Sequence, residues 1–241
     1  MTLISFRKNM VQRTIILLCI FAAAMGLLET IVVVYLRELY YPGGFSFPLA
    51  AFSPRLYGIE LLREFATLVM LLGIALLAGR GIRFFAWFLL AFAVWDIAYY
   101  LGLKLLLGWP SSFLTWDILF LIPWAWVGPV LAPLICCVMM ILLALLILKM
   151  SDAGTRPVLS RNDWLILVGG ALLILYAFLE DYGLLLYRSG LFGGLEAGTE
   201  AERLIAAFIP QRFNWLVFLA GSAFILLVIG RMWHRYKRTA G

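Results

Sequence analysis

The sequence predicts an all-α integral membrane protein: six transmembrane helices, plus short interfacial or re-entrant helices on the outer side. Three observations carry this. Of the 241 residues, 65% are hydrophobic and only 13% are charged, and the mean hydropathy is +1.02. Soluble domains are nearer half apolar and a quarter charged, so a chain of this length has too much apolar surface to hide from water. Six runs reach the roughly 20 apolar residues that a helix needs to cross a bilayer. Finally, the basic residues gather at one set of ends of those runs, as the positive-inside rule requires.

The first span is residues 14–36. Arg7, Lys8 and Arg13 precede it, as in a signal peptide, but the apolar run is too long for one, so a retained helix is expected. The second and third spans are 57–79 and 84–107, the fourth 127–149, the fifth 163–187 and the sixth 213–233. The apolar stretch 112–124 is bracketed by Pro110 and Pro123. It is too short to span, so a half-helix at the outer surface is expected. Ser160 and Asp163 have the spacing of a capping box that opens the fifth span. Thr199 and Glu202 repeat that pattern before an outer amphipathic helix over 200–208, which Pro210 ends. Pro129 and Pro133 would leave carbonyls free in a helix running through them, the mark of a broken helix; the plainer reading puts a proline in the first turn of span four. The whole chain, 1–241, reads as a single polytopic domain.

With both termini in the cytoplasm, twelve of the nineteen bases fall on the inner side. Eleven of the thirteen acids fall outside or in the outer half of the membrane. This places the chain in the cell (inner) membrane as a six-span protein; a seven-span threading scrambles the asymmetry. Trp109, Trp116, Trp124 and Trp126 form an outer aromatic belt, and Trp164, Trp233 and Tyr236 an inner one.

The unusual chemistry lies in the charges inside the spans. Trp-Asp-Ile occurs twice, at Asp96 and Asp117. Glu29 lies in the outer half of span one. Glu60, Arg63 and Glu64 share a face of span two at i, i+3 and i+4. Asp96, Tyr100 and Lys104 share a face of span three. Tyr176, Glu180 and Asp181 lie towards the outer end of span five, and Asp117 on the expected half-helix. A charge at the bilayer centre costs about 2.5–3.5 kcal/mol, so these acids must face the interior, pair with bases or be protonated. They are expected to line one outward-facing cavity. Lys104 is expected to meet Glu60, Glu64 or Glu180. Asp96, with no base at its level, is expected to be protonated or to reach water or a tyrosine.

Several chemistries are set aside. The sole histidine, His234, lies in the basic tail, so haem and the usual histidine metal sites lack ligands. No nucleophile elbow, HExxH or Walker motif occurs, and the last span has no lysine for a retinal. Cys19, Cys136 and Cys137 fit neither a disulfide nor a zinc pattern. The bases form no stripe with stacking aromatics, so nucleic acid is not expected as a partner, and no cofactor or metal is predicted. The leading expectation is a carrier or membrane-complex subunit that binds or relays protons or a small ionic ligand through the outward-facing carboxylate, Lys, Arg and Tyr cavity. One alternative is a cofactor-free structural subunit of a larger membrane assembly. Another is an enzyme acting on lipid headgroups at the outer leaflet, with Glu60 and Glu64 as acid and base and Arg63 or Lys104 holding a phosphate. The partners expected are the bilayer and either further membrane subunits or a second copy of the chain.

Overall fold

Local sequence sets where several of the helices begin. In the computed structural model, residues 3–48, 53–155, 158–188 and 207–240 are described. Among the described residues there are six helices: α1 (Leu3–Tyr40), α2 (Pro54–Ala78), α3 (Ile82–Leu107), α4 (Leu131–Asp152), α5 (Arg161–Arg188) and α6 (Trp215–Ala240). All six are long and apolar enough to cross a membrane. Ser53 caps α2, its hydroxyl accepting the Leu56 N–H at 3.2 Å, with Pro54 in the first turn, where an amide has no helical partner. The capping box on α5 forms as the spacing predicts: the Asp163 carboxylate accepts the Ser160 N–H at 2.9 Å, and Ser160 Oγ accepts the Asp163 N–H at 3.2 Å. Asn214 caps α6 by accepting the Val217 N–H at 3.2 Å. Gly108 ends α3 in the left-handed conformation, at φ 67°.

α3 is the centre of one layer, packed against α1, α2 and α4; α5 and α6 pair with each other and join that layer through α4. Two close approaches fix the pairings. Gly26 of α1 lies against the Trp95 carbonyl of α3, and Gly102 of α3 lies against Thr30 of α1, with no room at either for a Cβ. Thr30 Oγ1 donates to the carbonyls of Gly26 and Tyr99, at 2.9 and 3.1 Å. On the other side, a Cβ on Gly170 would sit 2.8 Å from the Gly221 carbonyl, so only glycine permits this α5–α6 crossing. Small residues at crossings are how apolar helices associate where lipid leaves no hydrophobic drive between them.

The ends carrying both termini are tied by charge. Arg231 and Arg235 of α6 meet fully buried Asp163 at 3.2 and 2.7 Å, and Arg83 of α3 meets Asp152 at the end of α4 at 2.5 Å.

The structure corrects the region between α3 and α4. Residues 112–124 do not form the expected half-helix. They turn and enter a two-stranded antiparallel hairpin, β1 (Trp116–Ile118) with β2 (Val127–Pro129), in the register Trp116–Pro129, Asp117–Gly128 and Ile118–Val127. Span four accordingly starts at Leu131, not at 127. Pro129 sits in a strand and Pro133 in the first turn of α4, where neither interrupts a helix, so the broken-helix signal is absent. Of the expected outer helix over 200–208, residues 200–206 lie outside the described residues; Ala207 is in a turn and Phe208 is not helical.

Candidate functional site

The hairpin builds the site. It leaves the end of α3, runs back into the bundle and returns to start α4. Phe120, just past β1, stacks on Phe92 with ring centroids 6.3 Å apart and meets Trp95 edge-on at 5.9 Å. Trp95 lies twelve residues before the end of α3, so the hairpin tip penetrates roughly 18 Å along that helix. Non-helical backbone at such depth needs protein partners for its amides. Leu119 N–H donates to the Trp126 carbonyl at 2.9 Å and Trp126 N–H to the Phe120 carbonyl at 2.7 Å. Beyond these, Leu121 N–H finds Glu64 of α2, 3.0 Å from each carboxylate oxygen. Trp124 Nε1 donates to the Leu179 carbonyl of α5 at 3.2 Å. The deep tip is thus held from two helices.

Around the hairpin lies a buried carboxylate network. On its α2 side Arg63 bridges two acids: its Nη1 meets Glu29 Oε1 of α1, and its Nε meets Glu60 Oε2, each at 2.7 Å. The i, i+3, i+4 face of Glu60, Arg63 and Glu64 therefore points inward as the spacing predicts, with both glutamates buried. The Trp95 indole lies beside the Glu29 carboxylate.

On the α3 side the centre is Asp117. It is 2% exposed and sits on β1, not on a helix. Arg37 of α1 approaches its Oδ1 at 3.4 Å, and the Tyr100 hydroxyl donates to its Oδ2 at 3.0 Å. Burial pushes the Asp117 carboxyl up to about 6, against the opposing pull of Arg37 and Tyr100. The Arg37 guanidinium is held between two rings, 3.9 Å from the Trp109 centroid and 4.4 Å from that of Phe45. Such contacts contribute about 0.5–2 kcal/mol each, the most when desolvated. One turn from Tyr100, Asp96 accepts from the Cys137 thiol of α4 at 3.1 Å and meets no base among the described residues.

Other expected members lie elsewhere. Lys104 is exposed and donates to the Gly108 and Pro110 carbonyls at 3.1 and 2.9 Å, closing the end of α3. It meets none of Glu60, Glu64 and Glu180. A cation at a helix C-terminus is stabilised there by the unpaired carbonyls, and this local pull wins over distant acids. Tyr176 is 53% exposed on the outside of α5. Glu180 and Asp181 face a separate cavity between α5 and α6, beside a row of rings in which Trp126 stacks on Phe178 and Phe178 meets Phe213 at a tilt. Glu180 accepts from Asn214 Nδ2 at 2.8 Å and Asp181 from the Gln211 N–H at 3.2 Å. The single cavity expected from depth is therefore two sites, because helices at one depth can face different neighbours.

Two participants are absent from the sequence reading: the Cys137 thiol and the Leu121 amide. Arg37 is one of the bases with which the sequence expects the buried acids to pair, and it meets Asp117. Nothing in the sequence distinguishes Cys137 or the Leu121 backbone, which became partners only through α3–α4 packing and the hairpin. Among the described residues no group of three or more metal-ligating side chains converges. Compared with protein-family models, with curated proteins and with solved structures, the chain has no match.

Proposed function

We propose that this is a multi-pass protein of the cell (inner) membrane, with both termini cytoplasmic, that takes up and relays protons through the hairpin-centred network, alone or as a subunit of a membrane complex. One observation carries the reading: among the described residues five carboxylates, Glu29, Glu60, Glu64, Asp96 and Asp117, share two guanidiniums, Arg37 and Arg63. In a low-dielectric interior such an excess of acids is relieved by protons or by a cation. The path favoured runs from Asp117 to the Tyr100 hydroxyl that donates to it and then, across a gap that no direct bond spans among the described residues, to Asp96 one turn deeper, which meets the Cys137 thiol. Infrared difference spectroscopy on the purified protein tests it. A protonated carboxyl band at neutral pH that disappears in Asp96→Asn is expected. Absence of that band from the wild type means that Asp96 is ionised and carries no relay.

A second reading treats the charges as pairs that fix helix register. It is favoured by the two 2.7 Å bonds of Arg63, which pin α1 to α2. Under it, Asp96→Asn leaves the infrared spectrum unchanged. Acid–base catalysis by Glu60 and Glu64 is disfavoured, since one is bound to Arg63 and the other to the hairpin backbone, both buried.

A further inference from the structure

We propose that the second cavity, between the end of α5 and the start of α6, binds a small water-borne zwitterion, ammonium group first. The cavity has a volume of about 700 Å³, within the range of small-molecule pockets. Its lining carries both signs of charge, Glu180 and Asp181 against Arg188 and Arg212. No ion pair joins these acids to these bases among the described residues, and both arginines are exposed.

The acids are held ready. Asn214 is fixed by its capping bond to Val217 and turns its Nδ2 to Glu180 Oε2, while the Gln211 N–H holds Asp181 Oδ2. Each bond occupies one carboxylate oxygen. Glu180 Oε1 and Asp181 Oδ1 have no hydrogen-bond partner among the described residues. Phe213 and Trp215 add ring surface to the same lining, and ring faces attract ammonium groups.

Charge order gives the direction of entry. Asp181 and Arg188 are two turns apart on α5, so the carboxylates lie roughly 10 Å deeper than the guanidinium end. Arg212 lies between Gln211 and Asn214, whose bonds to Asp181 and Glu180 set its backbone level with the acids, so Arg188 alone marks the outer end. A ligand with an ammonium at one end and a phosphate or carboxylate at the other fits with its cation inward. A phosphatidylethanolamine in its own leaflet presents the reverse order, phosphate nearer the hydrocarbon and ammonium outermost. The ligand therefore comes from water on the hairpin side. This site is separate from the proton network and stands whether or not the relay reading holds.

The test is calorimetric titration of the purified full chain with phosphoethanolamine and 4-aminobutyrate, against ethanolamine and inorganic phosphate as half-ligands. At least one zwitterion is expected to bind tenfold or more tighter than either half. Glu180→Gln with Asp181→Asn is expected to abolish that binding, and Arg188→Gln with Arg212→Gln to weaken it at least tenfold; the second pair alters exposed side chains and keeps the test open if the first does not fold. Tyr176→Phe, outside the lining, is expected to leave affinity unchanged. Equal binding of inorganic phosphate would make this an anion site and overturn the proposal. Lack of binding by both zwitterions overturns it too, as does retention of phosphatidylethanolamine in lipid nanodiscs without binding of either soluble probe.

Discussion

Glu64 on α2 receives the Leu121 amide of the hairpin tip on both carboxylate oxygens, at 3.0 Å each. A side chain thus completes the backbone hydrogen bonding of a segment that has left helical geometry deep inside a helical bundle. The first prediction follows from this bond. Glu64→Ala strands a partly buried N–H, which costs about 1–3 kcal/mol, whereas Glu64→Gln keeps an acceptor and most of the stability. Thermal unfolding in detergent compares them; equal melting of the Ala and Gln variants would show that the bond anchors nothing.

Arg63 holds two acids at once. Arg63→Met leaves Glu29 and Glu60 without their counter-charge, a loss of about 3–5 kcal/mol for a buried pair broken on one side. Adding Glu29→Gln and Glu60→Gln to the same chain should restore most of that stability. Yield of monodisperse protein and its melting temperature report both effects, and a triple variant no better than Arg63→Met alone rules out charge as the cause.

Asp117 makes stability depend on pH. Burial pushes its carboxyl in the folded chain up to about 6, above the ordinary aspartate range, and outweighs the opposing pull of Arg37. A carboxyl raised on folding binds more protons in the folded state, so its stabilising contribution is full at low pH and is lost as pH rises through about 6. Between pH 7 and pH 5 the wild type should therefore gain stability that Asp117→Asn does not, by at least about 2 °C in melting temperature. Parallel melting curves for the two proteins across that interval would refute the assignment.

The α5–α6 crossing depends on two glycines. Gly221→Val places side-chain atoms where the Gly170 backbone lies, so the helices must separate. A loss of about 1–3 kcal/mol or more is expected for such overpacking. Gly73→Val is the control, since nothing lies within 4 Å of a Cβ there. Comparable melting of both variants would mean that the crossing tolerates a wider gap.

Topology is open to chemical labelling. With the three native cysteines replaced by alanine, Gly43→Cys should react with an impermeant thiol reagent added to intact cells, and Gly154→Cys should not. Reaction at 154 alone inverts the proposed orientation; reaction at both breaks the six-span threading.

The sequence by itself determined the six long apolar helices of the described residues, roughly where they run, and which residues are chemically unusual. Apolar run length is a local property, and the six helices overlap the six predicted runs. The Ser160–Asp163 cap was equally legible, because its partners lie three residues apart. Only the tertiary structure decided what the unusual residues meet. Sequence spacing brought Glu60, Arg63 and Glu64 to one face, but Arg63 finds Glu29 thirty-four positions away through the packing of α1 on α2. Residues 112–124 were misread as a helix because hydropathy alone does not separate a short buried hairpin from a short helix. The hairpin tip is held in the bundle by Glu64 of α2, which accepts the Leu121 N–H, and by the Leu179 carbonyl of α5, which accepts from the Trp124 indole. Lys104 and Asp96 share a helix face, yet one closes the end of α3 and the other meets a thiol on α4. Depth along a helix can be read from sequence; direction around it, once several helices pack, is set by neighbours that the local sequence does not specify.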